Sequence, residues 1–226
     1  MTDAALRARY LDALGIDRWV LRRSPVVTAN VAPASESDAW PALVERVHAA
    51  TRCGLRAGCT QTVFGVGDRA AEWLVVGEAP GAEEDACGEP FTGPAGQLLD
   101  AMLAAIDLPR QSVFITNALK CRPPEDRDPR PAELAECLPY LAEQVAMVKP
   151  KIILAFGRVA AQNLLATDAT LGALRGVVHH YGPSSIPVVV TYHPAYLLRS
   201  PGEKRKAWED LKFARRTHAA NDAVPS

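Results

Sequence analysis

Four short apolar runs, each ending in a Gly- or polar-rich loop and interleaved with stretches of helical periodicity, constrain this chain more than any other feature. The runs are EWLVVG (72–77), SVFITNA (112–118), KIILAFG (151–157) and IPVVVTYHP (186–194). Each reads as a buried strand. The intervening and following segments GPAGQLLDAMLAAI, PAELAECLPYLAEQVAMV, RVAAQNLLA and EKRKAWEDLKFARR read as helices. Strands alternating with helices predict an α/β domain of three α/β/α layers around a mostly parallel central sheet. In such a sheet the ligand site lies at the carboxyl ends of the strands. Three polar loops, GEAPG, TNA and YHP, follow strands there.

Ahead of this domain, ARYLDALGIDRWVLRR reads as an amphipathic helix and residues 24–38 as a Pro-, Ser- and Ala-rich linker. The expected organisation is a helical extension and linker over 1–38, the α/β domain over 39–218 and a disordered tail over 219–226. A hydrophobic content of 48% suffices for one packed domain. The net charge of -1 argues against a polybasic protein, so nucleic-acid contact would need a local patch. Residues 199–216 supply one, with seven basic and three acidic side chains. With neither a bilayer-length apolar run nor a signal-peptide core, the expected location is cytoplasmic.

The loop from Gly77 to Leu99, GEAPGAEEDACGEPFTGPAGQLL, is dense in Gly, Pro and acid and suits a preformed backbone close to a ligand. Glu78 and Ala79 follow the strand directly and should face the pocket. Phe91 could stack on a flat base, or equally close the core under the loop. Asn117 could offer a donor and an acceptor to a base edge; alone it would more often cap a turn. His193 could donate to an anionic leaving group and draws its weight from sharing a sheet edge with Asn117 and Glu78. Leu197, Leu198 and Arg199 suit a wedge that fills the gap left by an extruded nucleotide; the ordinary reading is a helical turn facing inward.

Five cysteines in a chain read as cytosolic point to metal or redox chemistry before a disulfide framework. Cys53 and Cys59 pair upstream, Cys121 and Cys137 downstream, and four thiolates would bind zinc or an iron–sulfur cluster. Cys87 stands apart. GVGDRA (65–70) matches a dinucleotide fingerprint, yet a strand begins at Glu72 where a helix would be required.

Together, GEAPGAEEDACGEPFTGPAGQLL, FITNALKCRPP, the Cys121–Cys137 interval, ILAFGRVAA and TYHPAYLLR resemble the family 4 uracil-DNA glycosylases, the iron–sulfur members of their superfamily. The resemblance spans roughly Cys53 to Lys212. It implies a glycosylase that excises uracil from DNA without a lyase step and leaves an abasic site for base-excision repair. A monomer is expected, with the N-terminal extension as the place for a replication or repair partner. Phe91 would stack on the flipped uracil, Asn117 would read its pairing edge and His193 would stabilise charge on the departing base. Glu78 and the backbone at Ala79 would hold the attacking water, and Glu84 would crowd the 5-methyl of thymine. Leu197 and Leu198, with Arg199, fall at the wedge, and the loop of Gly93, Pro94, Gly96 and Gln97 would grip the DNA backbone. Lys120 is the one candidate amine nucleophile.

The family's 4Fe–4S cluster would be held by Cys53, Cys59, Cys121 and Cys137. The family usually has a cysteine at the position of Ala50, and here Cys59 stands where an arginine is usual. Cys59 as a replacement ligand, a cluster with three protein ligands, and loss of the cluster are the three alternatives. Two rival functions are a non-catalytic iron–sulfur DNA-binding protein and a glycosylase for another deaminated base. A zinc hydrolase is a third.

Overall fold

The computed structural model describes residues 36–50 and 54–222. The amphipathic segment, most of the expected linker and Cys53 lie outside the described residues. The helices are α1 (Glu36–His48), α2 (Ala82–Cys87), α3 (Pro94–Ala104), α4 (Pro131–Val148), α5 (Arg158–Leu165), α6 (Leu171–Leu174), α7 (Pro194–Arg199) and α8 (Lys204–Asp222). The strands are β1 (Val66–Gly67), β2 (Trp73–Gly77), β3 (Val113–Asn117), β4 (Ile152–Phe156), β5 (His179–Tyr181) and β6 (Ile186–Thr191). None of the described helices is long and apolar enough to cross a membrane.

The sheet runs β1-β3-β2-β4-β6-β5. Its four inner strands are parallel, and β1 and β5 flank them antiparallel. Every residue of β2, β3 and β4 is buried, because helices cover both faces. The two-residue period of a strand divides these side chains between two cores. Leu74, Val76, Ile153 and Ala155 join α1, α4 and α5 on one face. Trp73, Val75, Ile152, Leu154 and Phe156 meet α3, α7 and α8 on the other. Each buried aliphatic side chain contributes about 1.5–3 kcal/mol, which is why uniformly apolar runs settle between two helical layers.

From β2 the chain moves to β3 on one side, then returns past β2 to β4 on the other. This reversal opens a crevice at the carboxyl ends of the inner strands. Register places Gly77 beside Asn117 and Phe156 beside Thr191 at that edge.

The structure adds to the expected outline in three places. GVGDRA contributes Val66 and Gly67 to the edge strand β1, where a Cβ on Gly67 would lie 1.9 Å from the Val113 carbonyl oxygen, so glycine there serves close strand approach. α1 begins three residues before the expected boundary at residue 39. α8 continues to Asp222, so the first four residues of the expected tail are helical.

Candidate active site

A cleft of about 870 Å³ occupies the crevice. The carboxyl ends of β2, β3, β4 and β6 and the residues just beyond them supply Glu78, Asn117, Arg158 and His193 to its lining. Asn117 is only 1% exposed, yet neither its Nδ2 nor its Oδ1 has a hydrogen-bond partner. Leaving a buried polar group unsatisfied costs about 1–3 kcal/mol, so an orphaned amide at the base of a cleft marks a place for a ligand. Gly77 makes room for it. A Cβ there would stand 2.3 Å from Asn117 Oδ1 and 2.6 Å from Phe91 Cζ.

Phe91 is 3% exposed and sits at φ 54, a left-handed conformation that disfavours any residue with a Cβ. Three neighbours hold it there. Glu84 Oε1 accepts from the Phe91 N–H at 2.8 Å. Arg110 Nη2 donates to the Pro90 carbonyl at 2.7 Å. Gly96 fits beneath, where a Cβ would come within 1.8 Å of the Phe91 carbonyl oxygen. The Phe91 ring stacks on His193, with centroids 5.4 Å apart and planes at 27°. A planar ligand between two rings needs about 7 Å, twice a carbon–carbon contact distance, so a base cannot enter between this pair as it stands.

His193 caps α7, its Nδ1 accepting from the Ala195 N–H at 3.2 Å. A neutral ring that accepts at Nδ1 carries its proton on Nε2, which leaves a donor for the cleft. Burial, reinforced by Arg199, holds its pKa down to about 4, so the ring is neutral at physiological pH. Glu78 is half-buried, and that burial raises its pKa. Asp128 pushes the same way and Arg158 opposes it. Arg158 and Asp128 themselves pair at 2.6 Å. Glu84 turns both carboxylate oxygens to backbone, accepting from Gly81 N–H and Phe91 N–H, and its burial raises its pKa.

The sequence has known counterparts. The model of the uracil DNA glycosylase superfamily matches residues 64–212. The type-4 uracil-DNA glycosylase of Archaeoglobus fulgidus is 42% identical over 177 residues, covering 75% of this chain and 88% of the relative. Those of Pyrobaculum aerophilum (38% identical, 75% and 89% covered) and Sulfurisphaera tokodaii (40%, 79% and 84%) are similar. The chain belongs to the type-4 uracil-DNA glycosylase family.

For a type-4 family member the cleft gathers most of the residues singled out in the sequence. Glu78, Ala79, Glu84, Phe91, Gly93, Pro94, Asn117, His193 and Arg199 all line it. Leu197 does not belong to a wedge, because it is 1% exposed and locked into the core with α3 and α8. Leu198, 43% exposed on the same turn, is left as the wedge candidate. Gly96 is buried beneath Phe91, so it shapes the loop from below. Gln97 is exposed but lies outside the cleft lining. Lys120 also lies outside it. Its Nζ donates to Thr116 Oγ1 (2.6 Å), Gln144 Oε1 (2.7 Å) and the Asn117 carbonyl (2.8 Å), and burial lowers its pKa to about 7.

Sequence reading passed over Asp128, Arg158, Tyr192 and Tyr196, which also line the cleft. Arg158 and Tyr192 directly follow the ends of β4 and β6 by a residue or two, so the carboxyl-end rule alone could have flagged them.

Three of the cysteines of this type-4 chain gather in one place. Cys59, Cys121 and Cys137 are buried in one apolar group with Leu55, Ala118, Leu119, Leu134 and Val159. Ala50, Cys121 and Cys137 also border a small cavity of about 20 Å³. Cys59 does not border it; its Sγ lies 3.7 Å from Arg56 Nη1. Cys87 is exposed at the end of α2. Among the described residues no group of three or more His, Cys, Asp or Glu is arranged to hold a metal ion, and Cys53 lies outside them.

Proposed function

We propose that the cleft receives a uracil flipped out of DNA and hydrolyses its N-glycosidic bond, leaving an abasic site. The orphaned amide of Asn117 carries this reading. Its donor and acceptor stand at the base of the cleft with no protein partner, and uracil's pairing edge offers one acceptor and one donor in return. His193, neutral and donating from Nε2, would stabilise the negative charge that gathers on the base as the N1–C1′ bond breaks. Glu78 would accept a hydrogen bond from the water that adds to C1′, and one water proton ends on the departing uracil. Names of the relatives at 38–42% identity support the substrate, and the seclusion of Lys120 supports hydrolysis without an amine nucleophile.

Base release from uracil-containing oligonucleotides tests this directly. Strand cleavage at uracil should appear only after alkali, and thymine, hypoxanthine and xanthine substrates should lag far behind. Cleavage without alkali would sink the monofunctional mechanism, and a faster deaminated purine would reassign the specificity. Binding without release of any base would favour the non-catalytic alternative.

Cys53, Cys121 and Cys137, with Cys59 as the candidate fourth ligand, would hold a 4Fe–4S cluster. The gathering of three of these thiols in one apolar group supports that site. Ala50 borders the same cavity as Cys121 and Cys137, so a cysteine usual at position 50 would stand with them. Such a cluster would tie α4 to the loops behind Asn117, and hydrolysis asks no electron of it. Purified protein should contain about four iron and four sulfide per chain, with loading reduced in Cys59→Ser. Unchanged loading in that variant would remove Cys59 from the ligand set, and zinc without sulfide would replace the cluster altogether.

A further inference from the structure

Tyr192 and Tyr196 form an arrangement that base excision, as described above, does not use. Tyr192 follows β6 and Tyr196 lies one turn on, in α7. Their rings stack at 5.3 Å and 15°. Against Tyr192 also lies Arg175, its guanidinium carbon 4.3 Å from the ring centroid and its Nη1 3.3 Å from the hydroxyl. Arg175 is itself fixed by two bonds to Asp210, Nε to Oδ2 at 2.7 Å and Nη2 to Oδ1 at 3.0 Å. Asp210 is buried and accepts from Thr191 Oγ1 at 2.8 Å. The result is a ladder of guanidinium, Tyr192 and Tyr196 anchored on a buried carboxylate.

The last ring of the ladder, Tyr196, is 39% exposed and lines the same cleft as Asn117, with Arg199 beside it from the same helix. A large aromatic ring held in place by an ion pair beneath, and left open at a cleft mouth, has little conformational freedom to lose on binding. Stacking on such a ring tolerates any base, because every base has a flat π face. Arg199, Lys204 and Arg205 follow as exposed cations at the end of α7 and the start of α8, which suits a phosphodiester strand leaving the cleft on this side.

We propose that Tyr196 is a stacking subsite for the nucleobase adjoining the flipped uracil in the same strand, with Arg199 serving the phosphate between them. This rests on the reading of the cleft as a uracil site. An unpaired neighbour can stack on Tyr196 as readily as a paired one, so single strands suffice to test the subsite.

A cycle of enzyme and substrate changes tests the subsite. Uracil release is measured on single-stranded oligonucleotides with the neighbouring base intact, or replaced by an abasic spacer on the 5′ or the 3′ side. For the wild type, the spacer on one side should lower kcat/KM about tenfold through KM. Tyr196→Ala should show the same loss on the intact strand and no further loss with the spacer, whereas Tyr196→Trp should recover the wild-type response. A further loss of about tenfold when the spacer is introduced into the substrate of Tyr196→Ala, or wild-type indifference to both spacers, would overturn the subsite. Should the wild type release no uracil from the intact strand, that failure falls on the uracil reading. The same cycle read as binding of fluorescently labelled strands then decides the subsite separately.

Discussion

Asn117→Ala should lower kcat/KM for uracil release about a hundred- to a thousand-fold while leaving the thermal unfolding midpoint unchanged or slightly higher. The two halves have one cause. In the protein alone the Asn117 amide is buried with neither polar atom satisfied, so truncation removes a burden from the fold and a recognition element from the site. His193→Ala should cost a comparable factor, as loss of a single donor to developing charge does in other hydrolases. The double variant should lose less than the product of the two, because both groups act on one bound base. A fall of several degrees in the Asn117→Ala midpoint, with activity kept, would make the amide a structural group.

The pH profile separates the two acid-side groups. Burial and Arg199 keep His193 neutral down to about pH 4, so the ring gives no inflection near 6.5. Glu78 must be ionised to accept from water, and burial raises its pKa above the ordinary glutamate value. Activity should therefore fall, as pH is lowered, at a pH above that value. The limb should persist in His193→Ala and vanish from the residual rate of Glu78→Gln. An inflection near 6.5 that disappears with His193 would place the imidazole in ordinary solvent.

Asp210→Ala should destabilise the domain by about 3–5 kcal/mol, the usual cost of removing one partner from a buried ion pair. Arg175 and Asp210 meet at 2.7 Å with side-chain exposures of 14% and 4%, so the orphaned guanidinium cannot readily regain water. In a domain of this size that corresponds to roughly a 10 °C fall in Tm. Asp210→Asn, which keeps one acceptor, should fall between. The same pair fixes Tyr192, so any sensitivity to the neighbouring base should weaken alongside stability. A midpoint within a degree of wild type would show that the pair is not a determinant of the fold.

The parallel sheet was legible because uniformly apolar runs of five or six residues have few other places to go than between two helical layers. The gathering of Glu78, Asn117 and His193 was legible for a related reason, since each lies at or just beyond the end of such a run. The edge strands β1 and β5, of two and three residues, carry too little pattern to be seen. Leu197 and Leu198 are chemically the same residue in one turn, and nothing local says which faces inward; α3 and α8, distant in sequence, close over Leu197 and leave Leu198 outside. Gly96 reads in sequence as one glycine of a DNA-gripping loop, and only the folded chain shows the Phe91 carbonyl occupying the space a side chain there would need. Glu84 likewise spends its carboxylate on the Phe91 loop. Local order along the chain thus determined the layers and the edge where chemistry gathers. Which side chains reach the cleft, and which of them have no partner there, was decided by tertiary contact, because burial and hydrogen-bond satisfaction depend on neighbours that sequence spacing does not specify.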